Sequence, residues 1–158
     1  MKLRAKTLWK VPVFCFIAGW IGFYVTVYLG RFFFVVEQMG ADGIINGSAD
    51  PVRSAIFHWV LFLAVLLTGG LWAFRAMTKA EIAVSAAIGS AIYLLTVLAQ
   101  LLIPDFPVSL TLIFAYIQDW ISTPASLLFR LTNNLPASAI MSSFAPLLFI
   151  PFGRKTTP

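Results

Sequence analysis

Residues 108–130 read VSLTLIFAYIQDWISTPASLLFR. The stretch is apolar for most of its length but is interrupted at Gln118-Asp119 and again at Ser122-Thr123-Pro124. If it crossed a bilayer, Asp119 would sit near mid-depth, where an acid costs about 2.5–3.5 kcal/mol on insertion scales. Pro124 would also remove a rung of that helix's hydrogen-bond ladder. The stretch is therefore expected to be a broken interfacial or re-entrant helical segment on the outer side, with a full crossing as the alternative.

The flanking sequence explains why a bilayer enters the reading. Hydrophobic residues make up 60% of the 158-residue chain and charged residues 11%, against about 25% charged in soluble proteins. Apolar runs of 18 or more residues can span about 30 Å of hydrocarbon at about 1.5 Å per residue. Such runs give expected spans over 11–36, 54–74, 81–103 and 135–152. The fold class predicted is an all-α integral membrane protein, a single transmembrane domain over 1–158. It has four helices plus the broken segment, or five spans in the alternative.

Residues 37–53, EQMGADGIINGSADPVR, read as an outer loop from glycines 40, 43 and 47 and from Asp50-Pro51. Within it, Asn46-Gly47-Ser48 matches the short glycosylation triplet, which is a weak pattern. The first run, Val11 to Gly30, is longer than a signal-peptide core and reads as an uncleaved helix.

Charge gives the orientation. With four spans, Lys2, Arg4, Lys6, Lys10, Arg75, Lys79, Arg154 and Lys155 face inward, eight of eleven basic residues. With five spans, Arg130 replaces Arg154 and Lys155, leaving seven. Five of the six acids then face outward in the four-span arrangement, all but Glu81. The expected localisation is the cell membrane, with both termini cytoplasmic. The net charge of +5 is distributed at helix ends, with no basic face on a soluble module, so nucleic acid is not an expected partner.

Small residues are concentrated toward the inner side: Gly22 on the first helix, Gly69 and Gly70 on the second, Ala87 and Gly89 on the third. In lipid, small residues let helix backbones approach closely. A bundle tight at the inner side and open at the outer side is expected, with 108–130 placed to plug the opening.

Asp119 is the first candidate functional residue, because an acid at membrane depth is expensive. Its alternative is an interfacial cap beside Trp120. Arg31 is the candidate counter-ion, or else a snorkelling anchor. His58, the lone histidine, has no partner at ligand spacing on its own helix and reads as interfacial beside Trp59. Tyr24, Tyr28 and Arg31 form one stripe by their spacing. Cys15 reads as a packing residue. No HExxH, paired intramembrane aspartates or CxxC occurs, so no catalytic, metal or cofactor site is assigned and an enzyme is not expected.

Function is expected to be that of a non-enzymatic accessory or interaction subunit, with the lipid bilayer and another membrane protein, or a second copy, as partners. The alternative is a small oligomeric transporter or channel protomer with Asp119 near the pathway.

Overall fold

The computed structural model describes residues 7–39 and 45–154. Lys2, Arg4, Lys6, Asp42 and Lys155, used above for orientation, lie outside them, as does the side chain of Asn46 in the glycosylation triplet. Of the described residues, 81% are helical. Helix α1 spans Lys10–Phe33, a hairpin pairs β1 (Val35–Met39) with β2 (Ile45–Ala49), and α2 spans Pro51–Thr68, continuing as a π-helical segment Gly69–Ala73. Helices α3 (Lys79–Leu102), α4 (Val108–Thr132) and α5 (Leu135–Ser142) follow, and a 3-10 segment, Ala145–Phe152, closes the fold. Four segments are long and apolar enough to cross a membrane: Lys10–Phe33, Pro51–Ala73, Lys79–Leu102 and Leu135–Phe152.

Local chemistry sets the boundaries. Helix α1 stops at Phe34, and the β-branched Val35 and Val36 run extended into the hairpin, where Val35 pairs with Ala49. The expected span to residue 36 is therefore three residues too long, and the expected loop 37–53 holds a strand pair. Helix α2 begins at 51 rather than 54 because Asp50 caps it. Its Oδ1 accepts from the backbone N–H of Val52 (2.9 Å) and Arg53 (3.0 Å), and Pro51 occupies the first turn. Helix α3 starts with a capping box: Glu81 N–H donates to Thr78 Oγ1 (3.3 Å) and Thr78 N–H donates to Glu81 Oε2 (2.9 Å).

One further expectation is corrected by the structure. Residues 108–130 are not broken: α4 is one helix of 25 residues with Pro124 inside it. The interrupting polar groups find places that let the helix run on. Gln118 Nε2 donates to Thr96 Oγ1 of α3 (2.7 Å), and the carboxyl of Asp119 lies against Gly22 of α1. The helix ends only at Asn133, whose left-handed φ of 49° and N–H bond to the Phe129 carbonyl form a cap. The span expected over 135–152 is matched by an apolar segment of crossing length, Leu135–Phe152. Pro146 and Pro151 withhold N–H groups, and the segment divides into α5 and the 3-10 turns.

Helix α4 also reaches into the bundle. Trp120 is buried at the centre, stacked on Phe62 of α2 (5.7 Å between centroids) and tilted against Phe149 of the 3-10 segment (5.9 Å). Its Nε1–H donates to Tyr93 Oη of α3 (2.8 Å), which donates in turn to the Ile117 carbonyl (3.2 Å). On α1, a Cβ added to Gly19 would press on the Ile117 carbonyl oxygen and lie 2.9 Å from that of Tyr116. Backbone thus meets backbone where α1 and α4 touch, as small residues permit.

Among the expected packing residues, Gly22, Gly69 and Gly70 make close contacts. Gly22 faces Asp119, Gly69 faces Phe149 and Phe14, and Gly70 faces the ring of Phe152. Gly89 makes ordinary contacts with Pro12 and Pro146. Ala87 is exposed and packs no helix, because the inward face of α3 is the Ile82, Ser85, Ala86, Gly89, Ser90, Tyr93 line.

Both ends of the described chain reach the α2–α3 turn. Thr7 hydrogen-bonds Glu81 (3.5 Å), and Arg154 accepts from Lys79 N–H (3.1 Å) and donates to the Met77 carbonyl (3.0 Å). We call this the terminal end, and the opposite one the hairpin end.

Candidate functional site

Polar side chains with helical spacing line α4: Asp119, Ser122, Thr123, Ser126 and Arg130. Opposite them α2 presents Ser54 and His58, one turn apart, and Trp59. Between the two helices lies a cleft of about 370 Å³, walled by His58, Trp59, Ser122, Thr123, Ser126 and Arg130 and reaching Pro51 at the hairpin end. Helix α2 is otherwise apolar, so this is a polar hollow in the hairpin-end half of an apolar segment.

The hydrogen bonds in the cleft have a consistent sense. A carbonyl can only accept, so the hydroxyl that meets it must donate. Ser122 Oγ donates to the Asp119 carbonyl, Ser126 Oγ to the Thr123 carbonyl (2.7 Å), and Thr123 Oγ1 to the His58 carbonyl across the helix interface (3.4 Å). Arg130 is exposed and forms no ion pair among the described residues.

Asp119 sits deeper. Gly22, against which it packs, is the thirteenth of the 24 residues of α1, so the carboxyl is level with that helix's middle. Its Oδ2 is buried and has no hydrogen-bond partner among the described residues. His58 is within electrostatic reach of it. Asp119 is one turn below Thr123 but does not line the cleft; its carboxyl is turned to α1.

The other candidates lie elsewhere. Arg31 is exposed at the end of α1 with its guanidinium 4.6 Å from the Phe32 ring centroid, and it does not meet Asp119. Nine residues separate it from Gly22, about 13 Å along a helix. Tyr24 and Tyr28 stack on one another (6.0 Å), and Tyr24 also stacks on Tyr116 of α4 (6.4 Å), so their stripe is an exposed aromatic ladder rather than a cavity wall. Cys15 is fully buried in the core. Among the described residues no group of three His, Cys, Asp or Glu could hold a metal ion.

Sequence reading found His58 and Asp119 but not the cleft that brings His58 to Ser122, Thr123 and Ser126. The usable signal was the 119, 122, 123, 126, 130 spacing on α4. It was obscured because those residues read as interruptions of an apolar span instead of as one polar helix face. Compared with protein-family models, curated proteins and solved structures, the chain matches none of them.

Proposed function

We propose that the chain is a four-span membrane protein that works by binding, as a small transporter or channel protomer whose α2–α4 cleft is a water-filled vestibule above Asp119. The observation that carries this reading is the polar cleft itself. Four hydroxyls, an imidazole and a guanidinium face one hollow in a segment that lipid would otherwise surround, and lipid cannot solvate them. Polar groups kept at membrane depth mark substrate or ion pathways. The even number of crossings is supported by the two chain ends meeting at the α2–α3 turn. The basic residues there, Arg75, Lys79 and Arg154, favour a cytoplasmic terminal end and an outward hairpin end.

The test is accessibility followed by flux. Ser126→Cys, in a Cys15→Ser background, should react with a membrane-impermeant thiosulfonate added from the hairpin side. Proteoliposomes should swell in isosmotic ammonium, ethanolamine or glycine solutions faster than protein-free vesicles, and Asp119→Asn should slow that swelling. An unreactive Ser126→Cys, or flux indifferent to Asp119→Asn, counts against the reading.

A second reading, an accessory subunit held by a protein partner, is favoured by a different surface. Trp20, Tyr24, Tyr28 and Phe32 recur at four-residue intervals on α1 and are all exposed, the last by 69%. If that face docks another protein, Trp20→Ala with Tyr28→Ala should release a partner that co-purifies with the unaltered chain. A solubilised particle of single-chain mass before and after the change would refute it.

A further inference from the structure

The direction of the cleft's hydrogen bonds restricts what it can hold. Ser122, Thr123 and Ser126 have spent their protons on the carbonyls of Asp119, His58 and Thr123, so each offers only lone pairs to an occupant, whereas Ser54, which also lines the cleft one turn nearer the hairpin end than His58, keeps a hydroxyl that can donate. His58, with Nδ1–H given to Ser54, offers Nε2 as a further acceptor. Trp59 lines the same hollow, and an indole face attracts cations. Asp119 adds an unpartnered carboxyl oxygen one turn deeper. An anion would find four acceptors in this half of the cleft, with the buried carboxyl of Asp119 behind its wall, and a hydroxyl-only ligand would leave that carboxyl's potential unanswered. A group with several N–H donors and a positive charge answers both.

Arg130 has the opposite character. It lies eight residues beyond Ser122, about two turns nearer the hairpin end. It carries five donors and has no acidic partner among the described residues. The cleft is therefore polarised along its length, acceptors within and a guanidinium at the mouth.

Resting on the vestibule reading above, we propose that the α2–α4 cleft binds a primary ammonium that carries an anionic group, in the manner of phosphoethanolamine. The ammonium sits among Ser122, Thr123, Ser126 and His58, and the anion faces Arg130. The same chemistry occurs on a free solute and on the headgroup of an ethanolamine phospholipid.

Thermal unfolding of the detergent-solubilised full chain, titrated with phosphoethanolamine, phosphocholine or inorganic phosphate, tests the proposal. Phosphocholine keeps the charges but has no N–H donor. Phosphoethanolamine should stabilise the protein at concentrations at least about tenfold lower than phosphocholine, equivalent to about 1.4 kcal/mol, and phosphate alone should not replace it. Arg130→Gln should weaken phosphoethanolamine more than it weakens ethanolamine. Ser126→Ala should weaken both, with size-exclusion profiles confirming that each variant is folded. Native mass spectrometry with phosphatidylethanolamine or phosphatidylcholine separates the sources. Selective retention of the ethanolamine lipid identifies a headgroup site, and binding of the soluble compound without lipid retention identifies a solute site. Either outcome supports the ligand class. Equal effects of phosphocholine or phosphate, or no stabilisation by any probe, overturn it. If Ser126→Cys is nevertheless labelled from the hairpin side, only the ligand assignment fails; if it is unlabelled, the vestibule fails with it.

Discussion

Two helical glycines differ in what they face, and the difference measures how α4 joins the bundle. At Gly19 the obstacles to a methyl group are the backbone oxygens of Ile117 and Tyr116, which cannot rotate away. At Gly89 the nearest atoms belong to Pro12 and Pro146, at 3.7–3.8 Å, which is ordinary contact. Each Gly→Ala change contributes about 0.8–1 kcal/mol of helix propensity. Overpacking costs about 1–3 kcal/mol, and a backbone obstacle puts Gly19 at the upper end. Gly19→Ala should therefore lose about 2 kcal/mol net, whereas Gly89→Ala should gain about 1 kcal/mol. The separation of about 3 kcal/mol is more than a hundredfold in the folding equilibrium. Reversible unfolding by sodium dodecyl sulfate titration in mixed micelles, followed by circular dichroism, reads it directly. If the two variants behave alike, or if Gly19→Ala stabilises, α4 does not rest on α1 at this point and the packing argument is wrong.

Tyr93→Phe removes the oxygen that accepts from Trp120 and donates to Ile117. The buried indole N–H is then unpaired, and stability should fall by about 1–3 kcal/mol. In a double-mutant cycle with Trp120→Phe the losses should not add. The Asp50 carboxyl is held below its ordinary value by the backbone N–H groups of Arg53 and Val52. Its capping contribution is thus complete above the unfolded carboxyl's titration and is lost as pH falls through the lower folded value. Acid titration of helix content should show this loss in the unaltered chain, and Asp50→Asn should flatten it. Because Arg31 lies over Phe32 and away from Asp119, exchanging the two charges should not restore stability lost in either single reversal. Recovery in the same unfolding assay would place them in contact.

Much of the architecture was legible because apolar length is a strong signal. The helix expected over 81–103 is observed at Lys79–Leu102, and its start is written in Thr78 and Glu81 as a capping box. Residues 108–130 misled because Gln118, Asp119 and Pro124 were weighed against lipid alone. Gln118 has a partner distant in sequence, Thr96, and the carboxyl of Asp119 finds steric room beside the side-chain-free Gly22, without a hydrogen-bond partner among the described residues. A local reading cannot see such compensation. The same holds for the cleft: Thr123 and His58 are 65 residues apart. Their meeting depends on α4 lying beside α2, which no spacing within either helix encodes. Ala87 failed for a simpler reason, since small size marks a residue that can pack closely without showing that its face is turned inward.

The central claim is that α4 lies inside the bundle, with Asp119 level with the middle of α1. A Cβ on Gly22 would be 2.9 Å from Asp119 Oδ2. The direct measurement is cross-linking by a short bifunctional methanethiosulfonate in native membranes, in a Cys15→Ser background. Gly22→Cys with Asp119→Cys should cross-link efficiently, and Arg31→Cys with Asp119→Cys should not. Cross-linking at 31 and none at 22 would return α4 to the outer surface and contradict the account.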